Sequence, residues 1–326
     1  MFLPYLMSFK SFAKTPIVYC LFLMNLFGMI ILLEEKEVNF TQSFLFKEEN
    51  LVQIGEYYQK SEQFSLRQKL ENISTLSDRQ KMQIGLLALR DSQFSRIFAS
   101  ENESAMESVQ MTKDEVLSSK LKNQIGSFFK EQKSRLSFSM GLNNYSSIKT
   151  FITYQLSHAG FIHFFSNMIF LVALGLYLEI LIGSFGLVCL YFFGGIAGGI
   201  FFNLFNSNSF VPMIGASGAV SAMLAFIAFH EYQRKVRFIY FLSPLPNHHG
   251  MIYLPVWWII PLYLISDVAQ LISAPAGVTT GVAYAAHVGG AAFGMVCALL
   301  WRQFSTKSRW AQILDEEYSQ SQQLAP

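Results

Sequence analysis

Long apolar runs with few charges fill most of this chain, and one polar block interrupts them. Six runs reach the roughly 17–25 residues that a bilayer crossing needs. They lie at about 17–33, 160–182, 186–206, 214–233, 252–273 and 281–302. The block between the first and second runs, residues 34–150, reads differently. Its stretch "SLRQKLENISTLSDRQKMQIGLLALRDSQF" lacks proline and spaces its apolar residues helically. The pattern predicts an all-α membrane protein with six transmembrane helices and a mainly helical insert between spans one and two. The expected divisions are a cytoplasmic N-terminus with the first span (1–33), the insert (34–150), a membrane core of spans two to six (151–305) and a tail (306–326).

Charge sharpens this division. Of the 24 Lys/Arg and 22 Asp/Glu in the 326 residues, 16 of each fall within 34–150. Elsewhere the chain is nearly charge-free, as a bilayer-embedded frame requires. The net charge of +2 points to no nucleic-acid partner. Cys20, Cys189 and Cys297 stand far apart in apolar runs, with neither a disulfide framework nor a zinc spacing. No metal and no cofactor is expected. Lys10 and Lys14 precede the first run as they would in a signal peptide, but "EEKE" follows without a small-x-small cleavage site, so a retained anchor is expected.

Orientation follows from basic residues in short flanks. Lys10 and Lys14, then Arg234, Lys235 and Arg237, then Arg302, Lys307 and Arg309 all fall on one side of a six-span chain. That side is expected to be the cytoplasm, with both termini there and the insert outside. The expected location is the bacterial inner (cytoplasmic) membrane.

Polar groups inside the spans are costly, so each needs a reason. The candidates are His158, His163, Asn167, Glu179, Ser217, Ser221, Asp267 and His287. Ser217 lies 17 residues before Arg234, and His287 lies 15 before Arg302. At 1.5 Å per residue these stretches are roughly 25 Å and 22 Å of helix. Both side chains then sit about 5–8 Å below the outer face of a core about 30 Å thick. Gly290 and Gly294 share a helical face with His287, while Gly218 and Ala222 flank Ser217 and Ser221. Small faces let two helices approach closely in lipid. Ordinary packing accounts for the glycines alone. The shared depth of a serine and a histidine points further, to a nucleophile and its base. His163 and Asn167, spaced i,i+4 at the same end, offer donors for a developing oxyanion, as does the Ser217 amide at a helix start.

Three stretches resemble the rhomboid family of intramembrane serine proteases: "HAGFIHFFSNMIFLVALGLYLE" (158–179), "GASGAVSAML" (215–224) and "AHVGGAAFG" (286–294). The resemblance covers about residues 145–302 and the first span. It implies a six-helix rhomboid bundle that hydrolyses peptide bonds in or beside transmembrane segments of single-span or multi-span membrane proteins, within the lipid bilayer. It implies Ser217 as nucleophile and His287 as base, a dyad without an acidic third member. His163, Asn167 and the Ser217 amide become the oxyanion hole, and Gly215 allows close approach to it. His158 and Glu179 match positions that look structural. His158 is expected to steady the outer end of the second span and Glu179 to bond backbone near its inner end. Two departures stand out. Lys149-Thr150 replaces a frequent Trp-Arg pair, and Ser221 stands where many members place an aromatic ring against the imidazole. Asp267, near the outer end of span five, lies outside the family pattern. His230, His248 and His249 are expected on the cytoplasmic side, away from the site.

A catalytically inactive rhomboid-like protein that binds membrane helices is the alternative, although such relatives usually lack the Ser or His kept here. A transporter predicts polar residues along a whole path, whereas these cluster at one depth. A zinc protease lacks its H-E-x-x-H. No residue of the insert looks equipped for hydrolysis, so the dyad is expected to work without it.

Overall fold

A computed structural model describes residues 2–5, 15–33, 44–60, 76–99, 117–143, 146–206, 209–232, 235–241, 249–258 and 284–304. Strand β1 (Phe2–Tyr5) precedes the first apolar helix, α1 (Pro16–Leu33). The insert supplies α2 (Glu48–Lys60), α3 (Asp78–Ala88), α4 (Ser92–Ala99), α5 (Ser119–Ser134) and α6 (Leu136–Met140). Then come α7 (Thr150–Leu156), the long α8 (Phe161–Phe205), α9 (Ser217–His230), strands β2 (Lys235–Phe241) and β3 (His249–Pro255), and α10 (Tyr284–Phe304). Three helices, Pro16–Leu33, Phe161–Phe205 and Tyr284–Gln303, are long and apolar enough to cross a membrane, so this is an integral membrane protein.

Two of the expected spans join in α8. The helix breaks at Gly183, whose φ of 77° lies in the left-handed region that glycine tolerates. The break divides α8 into arms at 161–182 and 184–205. The arms run in opposite directions, because the second returns to α7 at the start of the first. Tyr154 of α7 donates to the Gly195 carbonyl at 2.5 Å, and a Cβ on Gly199 would meet the Phe151 ring at 3.0 Å.

At the opposite end the start of α1 docks against the first arm. A helix leaves its first N–H groups without partners, and Pro16 at the first position has none to leave. The next two do find partners. Ile17 N and Val18 N donate to the two carboxyl oxygens of Glu179 at 3.1 and 3.0 Å. Ser184 Oγ donates to the same carboxyl at 2.7 Å. Three donors therefore satisfy a side chain that is only 4% exposed, and the carboxyl sits at the positive end of a helix dipole. Midway along α1, Asn25 Nδ2 donates to the Tyr191 hydroxyl at 2.9 Å. Nearer its end, Gly28 lies so close to the Leu156 carbonyl that no side chain fits between them.

The insert has an apolar core of its own, built on Ile54, Tyr58, Phe94, Leu121, Ile125 and Phe129. Helices α2 and α3 touch backbone to backbone, Gly55 on the Lys81 carbonyl and Gly85 on the Leu51 carbonyl. Asp91 starts α4, accepting from Gln93 N at 2.6 Å and Phe94 N at 3.0 Å, the usual work of an N-terminal cap. Its other oxygen accepts from the Tyr58 hydroxyl at 2.6 Å. Burial, with that carboxyl beside it, raises the Tyr58 phenol well above its ordinary range.

Strands were not anticipated. β1, β2 and β3 form an antiparallel sheet in that order, with Phe2 opposite Tyr240, Tyr5 opposite Arg237, and Lys235 opposite Pro255. The N-terminal strand and the 235–255 hairpin thus form one sheet. The hairpin also corrects the start of the fifth expected span. Residues 252–255 finish β3 and 256–258 form a short 3-10 turn, with Val256 buried against the membrane core. Alternating and continuous apolar runs are hard to tell apart over so short a stretch. The remainder of that span, with Asp267, lies outside the described residues, as does His248.

Glu179→Ala leaves the buried Val18 N–H and the half-buried Ile17 N–H without their acceptor, a loss of about 1–3 kcal/mol for a fully buried group. The expected outcome is a lower unfolding midpoint in detergent. A midpoint equal to wild type would show that water replaces the carboxyl at no cost.

Candidate active site

Ser217 is the first residue of α9, so its N–H belongs to the donors that a helix start leaves unpaired. The chain enters through Gly215, whose φ of 128° only glycine adopts easily. Space imposes the same choice. A Cβ on Gly215 would meet His163 Cε1 at 2.8 Å and Nε2 at 2.9 Å. The loop before the serine is therefore pressed against an imidazole. It is also hydrogen-bonded from behind, Gly215 N donating to the Tyr154 carbonyl at 2.8 Å.

His287 reaches Ser217 because α9 and α10 meet without intervening side chains. Gly290 packs on the Gly218 carbonyl and Gly294 on the Ala222 carbonyl, each too close for a Cβ. The second arm of α8 packs into the same junction: Gly194 abuts Ala222, and a Cβ on Gly198 would come within 2.7 Å of the Ala286 carbonyl of α10 and 3.4 Å of Gly218 Cα. Near the C-terminal ends of both helices Arg302 donates to the Phe229 carbonyl at 3.3 Å. Near their N-terminal ends His287 Nε2 lies 2.8 Å from Ser217 Oγ. The two helices are thus in register from end to end, and the shared depth inferred from residue counts appears as one hydrogen bond. Helix α9 is shorter than the expected 214–233. Its 14 residues extend only about 21 Å, less than the roughly 30 Å of a bilayer core.

His163 and Asn167 face the same place from the first arm of α8. Together with Ser217 and His287 they line a cavity of about 570 Å³. One N–H of the Asn167 amide donates to the His163 carbonyl at 3.0 Å, which leaves its second N–H for another acceptor. His158 stands behind them in the turn before α8. It is buried, with its ring edge-on to His163 at 5.3 Å and to Phe164 at 5.4 Å. Glu179 holds the start of α1 and takes no part in the cavity. His230 is at the inner end of α9, 2.8 Å from Glu231 and far from the cavity. Among the described residues no group of His, Cys, Asp and Glu could hold a metal ion.

The other wall comes from the insert. Gln132, Ser137 and Phe138 line the cavity opposite the dyad. The segment 209–213, just before Gly215, is gripped on both sides. Phe210 N donates to the Arg90 carbonyl at 2.7 Å, and the Phe210 ring enters the insert's core, 4.9 Å from Phe129 and 5.1 Å from Phe138. Leu142 and Met213 exchange two backbone hydrogen bonds of 2.8 Å. Nothing in the spacing of 132–138 marks these residues for chemistry. Only the fold brings them to Ser217.

Residues 145–304 match the family model of the Rhomboid domain, and the chain is a rhomboid family protein. That family contains intramembrane serine proteases acting on membrane proteins, and inactive homologues. A comparison with curated proteins returns no match.

The two constraints on Gly215 predict a contrast. Gly215→Ala combines an unfavourable φ with a collision on His163, and strain of this kind costs of order 1–3 kcal/mol. It should lower the unfolding midpoint in detergent. Gly160→Ala is the control, with extended backbone and open space around its Cβ. Equal midpoints for the two variants would contradict the close packing described.

Proposed function

We propose that this protein is an intramembrane serine endopeptidase that hydrolyses peptide bonds in or next to transmembrane segments of other membrane proteins. The observation that carries the reading is the 2.8 Å contact between His287 Nε2 and Ser217 Oγ on two separate helices. An inactive, helix-binding relative has no need of that contact. In the tautomer protonated at Nδ1, Nε2 accepts the hydroxyl hydrogen. As Oγ attacks the scissile carbonyl carbon, the proton passes to Nε2 and the carbonyl oxygen takes the negative charge. The Ser217 N–H, the second Asn167 N–H and the His163 ring are the donors for that oxyanion, and they act before solvent can rearrange. The tetrahedral intermediate collapses when the imidazolium returns its proton to the leaving amine. A water molecule, deprotonated by the same imidazole, then releases the acyl group from Ser217.

Roles divide accordingly. Ser217 is the nucleophile, His287 the general base and then acid, and Gly215 the clearance that sets the amide of Ser217 beside His163. His158 packs behind His163 and Glu179 anchors α1, both as supports. The insert, on this reading, is extracytoplasmic and both termini are cytoplasmic, in a bacterial inner membrane.

Ser217→Ala and His287→Ala should each abolish cleavage of co-expressed single-span substrates while the protein still folds. Wild-type turnover in either clean variant would end the mechanism. Asn167→Ala should slow cleavage by roughly 10–1000-fold, the upper part matching loss of one oxyanion donor. An unchanged rate would leave Asn167 as a helix-packing residue only.

A further inference from the structure

The sheet that follows α9 differs on its two faces. Alternate positions of a strand belong to opposite faces, and paired positions on neighbouring strands share one. The register therefore gathers Val236, Phe238 and Tyr240 of β2 with Pro4 of β1 and Ile252 and Leu254 of β3 on one face. None of the paired positions on that face is charged. Lys235, Arg237 and His249 all fall on the other. With seven residues each, β2 and β3 are about 23 Å long. Three strands make the uncharged face roughly 300 Å², a size of patch that on a protein surface marks an interaction site.

Charge around the sheet has one sign. Lys10 and Lys14 lie between β1 and α1, and Arg234, Lys235 and Arg237 lie at the start of β2. No Asp or Glu occurs before Glu34 or between Glu231 and Asp267. The sheet is also tethered closely to the bundle. Only residues 231–234 separate α9 from β2, and β3 runs straight into the 3-10 turn whose Val256 is buried in the membrane core. Amphipathic aromatics are exposed at both junctions, Tyr232 at one and Trp257 and Trp258 at the other. The Arg302 guanidinium stands over the Tyr232 ring at 4.7 Å. Tyrosine and tryptophan collect where hydrocarbon gives way to headgroups.

We propose that this sheet is a lipid-binding element, which lies on the bilayer with its uncharged face among the headgroups and is held there by anionic phospholipids. Both of its junctions with the bundle carry the aromatics of a headgroup layer, so the sheet starts and ends at that level. Lying down removes the uncharged face from water; standing up would leave it there. The five cations of the sheet and its flanks then meet lipid phosphates with no carboxylate of their own to compete, as attraction to an anionic surface requires. A bilayer fits better than a protein partner, because the chain on either side of the hairpin enters the membrane core within a few residues. The inference stands apart from the protease reading and holds for an inactive protein as well.

The experiment uses the full-length chain in lipid nanodiscs, with Cys20, Cys189 and Cys297 replaced by alanine and a nitroxide on one added cysteine at a time. Phe238→Cys and Ile252→Cys sample the uncharged face, and Ile239→Cys and Met251→Cys the opposite one. Tyr240→Cys or Leu254→Cys stands in where a labelled variant fails to fold. Collision with oxygen, which concentrates in lipid, is compared with collision with a water-soluble nickel chelate. In discs of phosphatidylcholine with phosphatidylglycerol, the first pair should favour oxygen and the second the chelate. Lys235→Gln and Arg237→Gln should each lower the ratio of docked to undocked sheet by roughly 5-fold, the attraction of one cation to an anionic surface. Discs of phosphatidylcholine alone should lower it further. Two faces equally open to the chelate show a sheet standing in water and overturn the proposal. An uncharged face shielded from both reagents is covered by protein and overturns it too; shielding lost on deletion of residues 306–326 names the tail as the cover. Alternation that is the same with and without phosphatidylglycerol overturns the role of anionic lipid.

Discussion

Backbone contact between α9 and α10 is the constraint on which the rest depends. In lipid no hydrophobic force drives two apolar helices together, and their association relies on close packing. Gly290 on the Gly218 carbonyl and Gly294 on the Ala222 carbonyl bring the helix axes as near as backbones allow. Side chains of ordinary size there would push the axes apart and put His287 beyond a hydrogen bond of Ser217 Oγ. The second arm of α8 packs against both helices at once, Gly198 on the Ala286 carbonyl and Gly218 Cα, and Gly289 on Phe201, so the three close on one another. A short helix held between two neighbours is a rigid base for a residue whose oxygen must be placed to fractions of an ångström.

A second body bears on the same serine. The loop 209–215 has the Tyr154 carbonyl on one side and the insert on the other, through Phe210, Arg90 and the Leu142–Met213 pair. Asp91 ties these parts together. It caps α4 and receives the Tyr58 hydroxyl, while the carbonyl of its neighbour Arg90 accepts from Phe210 N. The insert is therefore wired into the membrane core at the entry to α9, where a small shift displaces Ser217 most.

The sequence revealed the membrane half far better than the insert's relation to it. Ser217, His287, His163 and Asn167 were legible because polar groups in apolar runs are conspicuous, and because helical rise turns residue counts into depths. The Gly183 break fell between two expected spans for the same reason. Gln132 and Phe138 gave no such signal. A glutamine in a lysine-rich helix and a phenylalanine in the short helix after it are unremarked, and they share a cavity with Ser217 only through tertiary packing across some eighty positions. The 235–255 hairpin was missed because β2 and β3 are short. An apolar stretch such as "MIYLPVWWII" suits a strand or the start of a span equally well.

The Glu179 carboxyl that holds α1 has a consequence for how the chain is made. Its partners Ile17 and Val18 leave the ribosome more than 160 residues before it does, the separation being 162 positions for Ile17. During that interval the start of α1 has only water and lipid headgroups for its open N–H groups. The first helix must therefore remain undocked at this end while the whole insert is made and the first arm of α8 follows. Assembly of the bundle closes only when a residue of the second hydrophobic segment arrives to replace that water. The order of synthesis and the order of packing are thus reversed for the N-terminal helix, and the time between them grows with the length of the insert.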